Sequence, residues 1–287
     1  MINSISINFI KTKYIKILNI NFQLKMDALE SIDRENIIKA AKLLLNSKYA
    51  VILTGAGIST ESGIPDFRGE RGIWEKYKPE IYGNIQSFLK DPSKFWEMAE
   101  EIAPTLFNAE PNLGHFAIAT LEKMNIVKAI ITQNVDELHQ KAGSIIVYEV
   151  HGNINRFTCL GCRASYNKEQ LLRKIKKKKD LPPVCDYCAA PLKPSVVLFG
   201  ENLPNFEKYM SIDLAKKADV MLIAGSSLEV APVCNLPLYT LSNGGKLIII
   251  NDESTDLDER AEIVINQKTG TVLPLLVEHI KKIKADH

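Results

Sequence analysis

Residues 49–69 are YAVILTGAGISTESGIPDFRG, and this stretch decides the fold class. Its first six residues form a mostly apolar run, which is typical of a strand buried on both faces of a sheet. The run ends in Gly55, Ala56 and Gly57, and glycines in this position let the backbone approach a pyrophosphate closely. The usual dinucleotide fingerprint has a third glycine where Thr60 stands, so these residues alone indicate no more than a nucleotide site.

Further strand-sized apolar runs follow along the chain, and each ends in glycine or polar residues. We predict strands over residues 129–132, 145–150, 195–199, 220–224 and 246–250. Helical patterns lie between them, at residues 34–45, 113–124 and 136–142. This alternation predicts an α/β fold, with a Rossmann-like parallel sheet and helices on both faces. Sheets of this type bind ligands at the carboxyl ends of their strands, where the polar residues of this chain are concentrated.

Two segments depart from the alternation and predict smaller units. Residues 71–112 have helix and loop patterns, which predict a helical insertion. Residues 156–192 contain close cysteine pairs, a lysine run and little hydrophobic periodicity, which predict an inserted zinc-binding module. The Rossmann-like domain then consists of residues 26–70, 113–155 and 193–287.

The net charge and the lengths of the apolar runs argue against binding to nucleic acid and against a membrane-spanning helix. Lysine and arginine number 36 against 34 acidic residues, so the net charge of +2 provides no large field for nucleic acid or an anionic membrane. The longest apolar runs are far shorter than the roughly 18 residues of a membrane helix.

We expect residues 1–25 to be a disordered extension or a non-native start, with a short basic leader as the alternative.

Four of the five cysteines form two close pairs, Cys159 with Cys162 and Cys185 with Cys188. The pairs are separated by 22 residues, positions 163 to 184, and this spacing predicts one tetrahedral zinc site; a redox dithiol is the alternative. Four thiolates fill the coordination of zinc, so we expect a structural ion and no zinc-dependent hydrolysis. Paired cysteines are typical of a reducing compartment, which favours the cytoplasm. Cys234 stands alone and is expected to be a core residue.

Taken as a whole, the stretch that begins at Gly55 resembles the opening signature of the sirtuins, which are NAD-dependent protein deacylases. Four further segments match the same family in the same order: TQNVDELH at 132–139, HGN at 151–153, KPSVVLFGE at 193–201 and GSSL at 225–228. The cysteine pairs lie between the third and fourth of these five segments, as they do in that family. The resemblance extends from about residue 27 to the C-terminus and is of the bacterial and archaeal type.

The resemblance implies NAD-dependent removal of acetyl groups from protein lysines, with nicotinamide and O-acetyl-ADP-ribose as products. It implies a catalytic group of His151, Asn134 and Asp136, in which the imidazole acts as a base near neutral pH. It assigns no role to His115, His279 or His287, and a structural one to His139. The residues implied to contact NAD are Gly55, Ala56, Gly57, Thr60, Asp66, Phe67, Arg68, Gln133, Asn134, Val135, Asp136, His151, Gly225, Ser226, Ser227 and Asn251.

The resemblance also implies where acetylated protein substrates bind. The peptide is expected to add as a strand between two runs, because main-chain hydrogen bonds supply affinity without a strict substrate sequence. Phe199 is expected to line the tunnel for the lysine stem, and Lys193 replaces a more frequent arginine, which we interpret as a minor difference. The residues expected to contact peptide are Val197, Leu198, Phe199, Gly200, Glu201, Leu228 and Val230.

The sequence also indicates which acyl groups and which partners to expect. Family members that remove succinyl or malonyl groups carry a Tyr and an Arg three residues apart on a helix that corresponds to residues 94–107, which contain neither residue type but have Glu100 and Glu101. We therefore expect neutral acyl groups, with acetyl first. Longer-chain deacylation, mono-ADP-ribosyl transfer to protein and a non-catalytic NAD-binding module are the alternatives. We expect a monomer, no membrane contact and no direct nucleic-acid binding. The lysines at 174 and 176–179 are expected to form a solvated helix face, with a contact for acidic partners or nucleic acid as the alternative.

Overall fold

The computed structural model describes residues 29–66, 72–175 and 181–286. The predicted extension over residues 1–25 lies outside these ranges. Within them the strands, in chain order, are β1 (Ala50–Thr54), β2 (Val127–Thr132), β3 (Val147–Glu149), β4 (Gly152–Cys159), β5 (Ser165–Asn167), β6 (Leu192–Val196), β7 (Val220–Ala224), β8 (Lys246–Ile250) and β9 (Ile263–Ile265). The α-helices are α1 (Ser31–Asn46), α2 (Ile73–Lys76), α3 (Pro79–Tyr82), α4 (Ile85–Lys90), α5 (Pro92–Asn108), α6 (Leu113–Lys123), α7 (Leu138–Lys141), α8 (Lys168–Lys174), α9 (Asn205–Lys217), α10 (Leu236–Ser242) and α11 (Thr269–Ala285).

Six strands form one parallel sheet in the order β3-β2-β1-β7-β8-β9. Every residue of the neighbouring strands β1 and β7 is buried, which explains why their sequences are continuous apolar runs rather than alternating ones. The register aligns Thr54 with Ala224, so the loops after these two strands leave the sheet side by side. The predicted α/β fold class is confirmed.

Helices cover both faces of this sheet. On one face Ile52 and Leu222 belong to a cluster that α1, α6 and α11 complete, and on the other Val51 and Met221 pack with α9 and α10. Successive strand residues point to opposite faces, so each central strand contributes to both cores. No helix within the described ranges is long and apolar enough to span a membrane.

A second, antiparallel sheet has the order β5-β4-β6. The run 195–199, which we predicted as a strand alongside those of the parallel sheet, is replaced by β6, which pairs with β4 in this smaller sheet. Pro194 supplies the physical reason, because a residue without an N–H is tolerated at a sheet edge and not in a central strand. The last strand of the parallel sheet is β9, whose three residues give little signal in the sequence. The small sheet begins at Gly152 and extends to Val196, so it includes residues on both sides of the predicted module boundaries at 156 and 192.

Helices α2 to α5 pack against the small sheet through aromatic rings. Trp96 stacks on Phe157 with ring centroids 6.1 Å apart, and its indole N–H donates to the carbonyl O of Leu192 at 3.2 Å. The residues between β1 and α6 are therefore joined to the cysteine-bearing segment by a shared hydrophobic cluster.

Candidate active site

The loop after β1 packs backbone against backbone on the loop after β7. The amide N of Gly57 donates to the carbonyl O of Gly225 at 2.9 Å. A Cβ atom on Gly225 would lie 2.3 Å from the amide N of Ile58, and the φ of +64° at Gly225 is in the left-handed region. Only glycine fits this position. The structure thus gives Gly57 and Gly225 a packing role, in addition to any contact with pyrophosphate.

Ser59 lies at the centre of a buried hydrogen-bond network. It belongs to a 3₁₀ helix, Ala56–Ser62, that follows β1 and turns this hydroxyl inward. Its Oγ donates to Oδ2 of Asp136 at 2.7 Å and accepts from Nδ2 of Asn134 at 3.0 Å. Two of the predicted catalytic residues are therefore joined by one hydroxyl group from the glycine-rich stretch.

Asn134 and Asp136 are both buried in the segment that follows β2. The backbone N–H of Asn134 donates to Oγ1 of Thr132 at 3.1 Å, and the N–H of Leu138 donates to Oδ1 of Asp136 at 3.0 Å. Burial raises the pKa of Asp136, and the hydrogen bonds from Leu138 and Ser59 oppose that rise. The two side chains are fixed before any ligand binds.

Two buried histidines lie beneath this network. Nε2 of His115 is 3.4 Å from Oγ of Ser59, and Nε2 of His139 is 2.9 Å from Oγ1 of Thr54. The two rings meet edge to face with centroids 5.0 Å apart. Burial lowers the pKa of His115 to about 4 and that of His139 to about 3, so both are neutral at pH 7.

His151 lies just after β3, half-buried at the same edge of the sheet. Its Nδ1 is 3.1 Å from the carbonyl O of Gln133. A carbonyl can only accept, so Nδ1 carries the proton in the neutral ring and Nε2 keeps its lone pair. Gln133 in turn donates from Nε2 to Oγ of Ser226 at 2.8 Å and from its backbone N to the carbonyl O of Thr54 at 3.0 Å. The ends of β1, β2, β3 and β7 therefore meet around His151.

The other residues predicted to contact NAD are distributed along the same edge. Asn251 follows β8, is buried, and donates from Nδ2 to the carbonyl O of Glu253 at 2.8 Å. Thr60 is exposed and donates from Oγ1 to the carbonyl O of Gly57 at 3.0 Å. Phe67 and Arg68 lie outside the described residues. Of the remaining members, Gly55, Ala56, Val135 and Ser227 lie within a few residues of strand ends, and Asp66 follows the 3₁₀ helix after β1.

The run 197–201, predicted to bind peptide, already uses much of its backbone internally. The N–H of Val197 donates to the carbonyl O of His151 at 2.8 Å. The N–H of Phe199 donates to the carbonyl O of Gly83 at 2.8 Å, and the N–H of Ile85 donates to the carbonyl O of Phe199 at 3.0 Å. These bonds occupy backbone groups of Val197 and Phe199, whereas Gly200 is exposed. In the segment after β7, Leu228 is buried and Val230 is half-buried.

The four paired cysteines converge, with all four Sγ atoms within 4.8 Å of one another. The sulfurs of Cys159 and Cys188 are 3.4 Å apart, and those of Cys162 and Cys185 are 3.5 Å apart. Zn–S bonds of about 2.3 Å in a tetrahedron place the sulfurs about 3.8 Å apart, so the cluster has the dimensions of a zinc site. Each pair has its own tight turn, with a positive φ at the following residue, Arg163 or Ala189.

The fold and the composition of this site can now be compared with known proteins. The Sir2 family model matches residues 55–232, which is more than half of the chain and includes both the glycine-rich loop and the four cysteines. This chain belongs to the Sir2 family.

Relatives within the Sir2 family are similar over almost their whole length. An NAD-dependent protein deacetylase from Sulfurisphaera tokodaii is 48% identical over 243 residues, which cover 85% of this chain and 95% of the relative. An NAD-dependent protein deacylase 2 from Archaeoglobus fulgidus is 46% identical, with 88% of this chain and 99% of the relative covered.

Solved Sir2 structures have the same fold. One, from work on the mechanism and regulation of Sir2 enzymes, is 46% identical with a TM-score of 0.82 and covers 87% of this chain and 99% of its own. A Sir2 complex with a p53 peptide and NAD⁺ is 38% identical with a TM-score of 0.75, over 86% of this chain and 97% of its own. The predicted family and the predicted class of NAD-dependent protein deacetylase are confirmed.

Two residues of this Sir2 protein were missed by the reasoning from sequence. Ser59 lies within the matched glycine-rich stretch, and its place in that stretch was a usable signal. His115 gave no signal of a place in the site, because its contact with Ser59 joins residues 56 positions apart. Only the packing of α6 against the loop after β1 brings the two together.

Proposed function

We propose that this protein removes acetyl groups from lysine side chains of other proteins, consuming NAD and yielding nicotinamide and O-acetyl-ADP-ribose. The observation that carries the proposal is the placement of His151, whose Nδ1 is held by the carbonyl O of Gln133 next to Asn134 and Asp136. Membership of the Sir2 family, and relatives named as NAD-dependent protein deacetylases, support the same activity.

The residues at the carboxyl edge of the parallel sheet fit NAD by the chemistry of their polar groups. The amide of Asn134 can both donate to and accept from a carboxamide, and Asp136 is an acceptor held by Ser59. When bound, NAD would supply a ribose carbon that loses nicotinamide and a ribose hydroxyl oxygen that receives the acyl group. Gln133 and Ser226 are hydrogen-bonded to each other and would contact the ribose, and Asn251, two strands from β1, would contact the adenosine end.

His151 is proposed as the base. Its protonated Nδ1 faces the Gln133 carbonyl, so the proton taken from a ribose hydroxyl must go to Nε2. The carbonyl contact fixes the ring and favours the imidazolium that forms, because a positively charged N–H donates more strongly than a neutral one.

Neutral acyl groups remain the proposed substrates, and the surroundings of Glu101 change the reason for this proposal. The Glu101 carboxylate accepts a hydrogen bond from the hydroxyl of Tyr77 at 2.6 Å and forms an ion pair with Lys76 on the surface. Its charge is thus already compensated, so repulsion by Glu101 contributes little against acidic acyl groups. The absence of an arginine from α5 matters more, since no cation on this helix other than Lys94, which is paired with Glu97, is present to bind an acyl carboxylate.

The test is an assay with an acetyl-lysine peptide, with and without NAD, followed by mass spectrometry. We expect deacetylated peptide, nicotinamide and acetylated ADP-ribose in equal amounts, and a loss of rate of about 10²- to 10⁴-fold in His151→Ala. His279→Ala, on α11, is the matched control and is expected to retain the rate.

The other outcomes distinguish the alternatives. Nicotinamide release with labelled ADP-ribose on protein would indicate mono-ADP-ribosyl transfer. Turnover of long-chain but not acetyl peptides would indicate a longer-chain deacylase. Folded protein without any turnover would leave an NAD-binding module.

Acetylated proteins are the proposed partners, and a Sir2 neighbour solved with an acetylated peptide supports this class of ligand. We propose a cytoplasmic location, because four thiols kept together for a metal require a reducing compartment. We also propose a monomer without direct contact to nucleic acid. Of the predicted lysine face, Lys174 forms an ion pair with Asp186, and residues 176–179 lie outside the described residues.

A further inference from the structure

Lys193 is a buried lysine with three oxygen partners. Its residue is only 9% exposed, and its ammonium donates to the carbonyl O of Val196 at 2.7 Å and to that of Pro194 at 3.2 Å. The third partner is Oε2 of Glu201 at 2.9 Å. A lysine ammonium has three N–H groups, so all of them are satisfied at this one position.

Glu201 uses the same oxygen to close a turn. Its Oε2 accepts from the backbone N–H of Leu198 at 2.8 Å, while its own N–H donates to the carbonyl O of Leu198 at 3.0 Å. Gly200 supplies the φ of +88° that the turn requires. Lys193 therefore holds the carboxylate that holds the turn over residues 198–201.

The turn fixes the positions of two residues, Phe199 and Gly200, that are expected to contact the peptide. Within it, Phe199 is fixed by backbone bonds to Gly83 and Ile85. The residue is 39% exposed, and its ring centroid is 5.9 Å from that of Trp74. Gly200 is exposed next to it. If the turn opened, the Phe199 ring and the Gly200 backbone would lose their shared geometry, although neither is touched by Lys193.

We propose that Lys193 and Glu201 are positioning residues for the acetyl-lysine peptide, and that their ion pair sets peptide affinity by fixing the turn over residues 198–201. The inference rests on the proposed function. It also changes the interpretation of Lys193, which from the sequence alone is a minor replacement of arginine. The ammonium is matched by three acceptors at this position, and its removal would leave the Glu201 carboxylate without its cation.

The experiment compares Lys193→Met, Glu201→Gln and the double variant with wild-type protein. Glu201→Gln keeps an oxygen that can accept from Leu198 and removes only the charge. We expect KM for the acetyl peptide to rise about tenfold in each single variant, with KM for NAD and kcat at saturating peptide within twofold of wild type. In the double variant we expect the rise in peptide KM to be smaller than the product of the two single rises. Once one member of the ion pair has been replaced, replacing the other removes no further interaction between them.

Two further variants separate positioning from general damage. Lys193→Arg keeps the charge and is expected to restore peptide KM to within about threefold of wild type. The matched control is the exposed pair of Lys246 and Glu262, 3.1 Å apart, for which Lys246→Met should leave both KM values unchanged. Zinc content and thermal stability are measured for every variant.

Direct binding of a fluorescent acetyl-lysine peptide, followed by anisotropy, tests the inference independently of turnover. Weaker binding by Glu201→Gln with normal zinc content supports it. Unchanged peptide binding, or an equal rise in the KM values for peptide and NAD, overturns it. If Lys193→Met does not fold, Lys193→Gln takes its place, because Glu201 is itself an expected peptide contact and Lys193 is not. Wild-type protein that binds the acetyl peptide but does not consume NAD would refute the proposed function and still leave the binding comparison decisive.

Discussion

The two sheets of this protein are stabilised by different kinds of core. The buried residues of the two clusters that flank the parallel sheet are all aliphatic except for one methionine. The cluster that joins the small sheet to helices α2–α5 instead contains Phe88, Phe95, Trp96, Phe157 and Tyr166, together with Cys159 and Cys185. A sheet with helices on both faces buries whole strands of small branched side chains. A three-stranded sheet has too few residues for that, so it depends on large rings, and its four-cysteine cluster can add a cross-link through a metal ion.

The two cores differ in a way that spectroscopy can follow. Both tryptophans of the chain, Trp74 and Trp96, belong to the aromatic cluster. Tryptophan fluorescence therefore reports on the small sheet and its helices, while far-UV circular dichroism is dominated by the larger part. Used together, the two signals separate the regions.

Removal of zinc should have the largest effect. Structural zinc in small domains contributes an apparent binding free energy of about 10–16 kcal/mol, so a chelator or Cys185→Ser should disorder the small sheet. We expect a large change in tryptophan fluorescence with most of the far-UV signal retained. Cys234→Ser, outside the cluster, is the control. Unchanged fluorescence after verified loss of zinc would show that the aromatic core is sufficient alone.

Gly225→Ala should weaken the parallel sheet by an intermediate amount. The added Cβ would lie 2.3 Å from the amide N of Ile58, at a residue with φ +64°. Strained backbone and overpacking each cost about 1–3 kcal/mol, so we expect a loss of about 2–6 kcal/mol in the free energy of unfolding. Gly63→Ala is the matched control, because its φ is +83° but nothing lies within 4 Å of the added atom. Urea unfolding followed by circular dichroism should separate the two variants by at least about 1 kcal/mol.

Acid should also destabilise the parallel-sheet part, through His115 and His139. Their native pKa values, about 4 and about 3, lie below the unfolded value of about 6.5. Above pH 6.5 their contribution is fully present. As the pH falls towards 4, the unfolded chain binds protons that the native state does not, and each histidine costs up to about 1.4 kcal/mol per pH unit.

The measurement is urea unfolding at several pH values from 7 to 4.5. His139→Gln should flatten the slope, whereas His279→Gln on α11 should leave most of it. Asp136 acts in the opposite direction at the acid end of this range, because burial raises its pKa. An identical slope in wild type and His139→Gln would contradict the assignment.

Reasoning from sequence went furthest where a local pattern and the tertiary role coincide. The apolar runs at β1, β7 and β8 predicted central parallel strands, and the cysteine spacing predicted a four-sulfur cluster. It failed for β6, where a run that resembles a strand of the parallel sheet pairs in the other sheet. It also missed β9, which has three residues, and β4, whose polar alternation gives no run of apolar residues.

The candidate active site shows the same difference between what local sequence patterns indicate and what packing decides. The order of the motifs indicated the family and the strand ends that carry His151, Asn134 and Asp136. It did not indicate that Ser59 joins Asn134 to Asp136, or that Lys193 holds Glu201, because each contact depends on loops brought together by packing.

By itself, therefore, the sequence determined the α/β class, the Sir2 family and the residues at the edge of the sheet, since strand periodicity and motif spacing are properties of neighbouring residues. Tertiary structure alone decided which sheet each strand joins, which glycines are required by close packing, and which polar groups share a hydrogen bond. Those outcomes depend on distances between residues far apart in the chain, and such distances are fixed only when the hydrophobic clusters form.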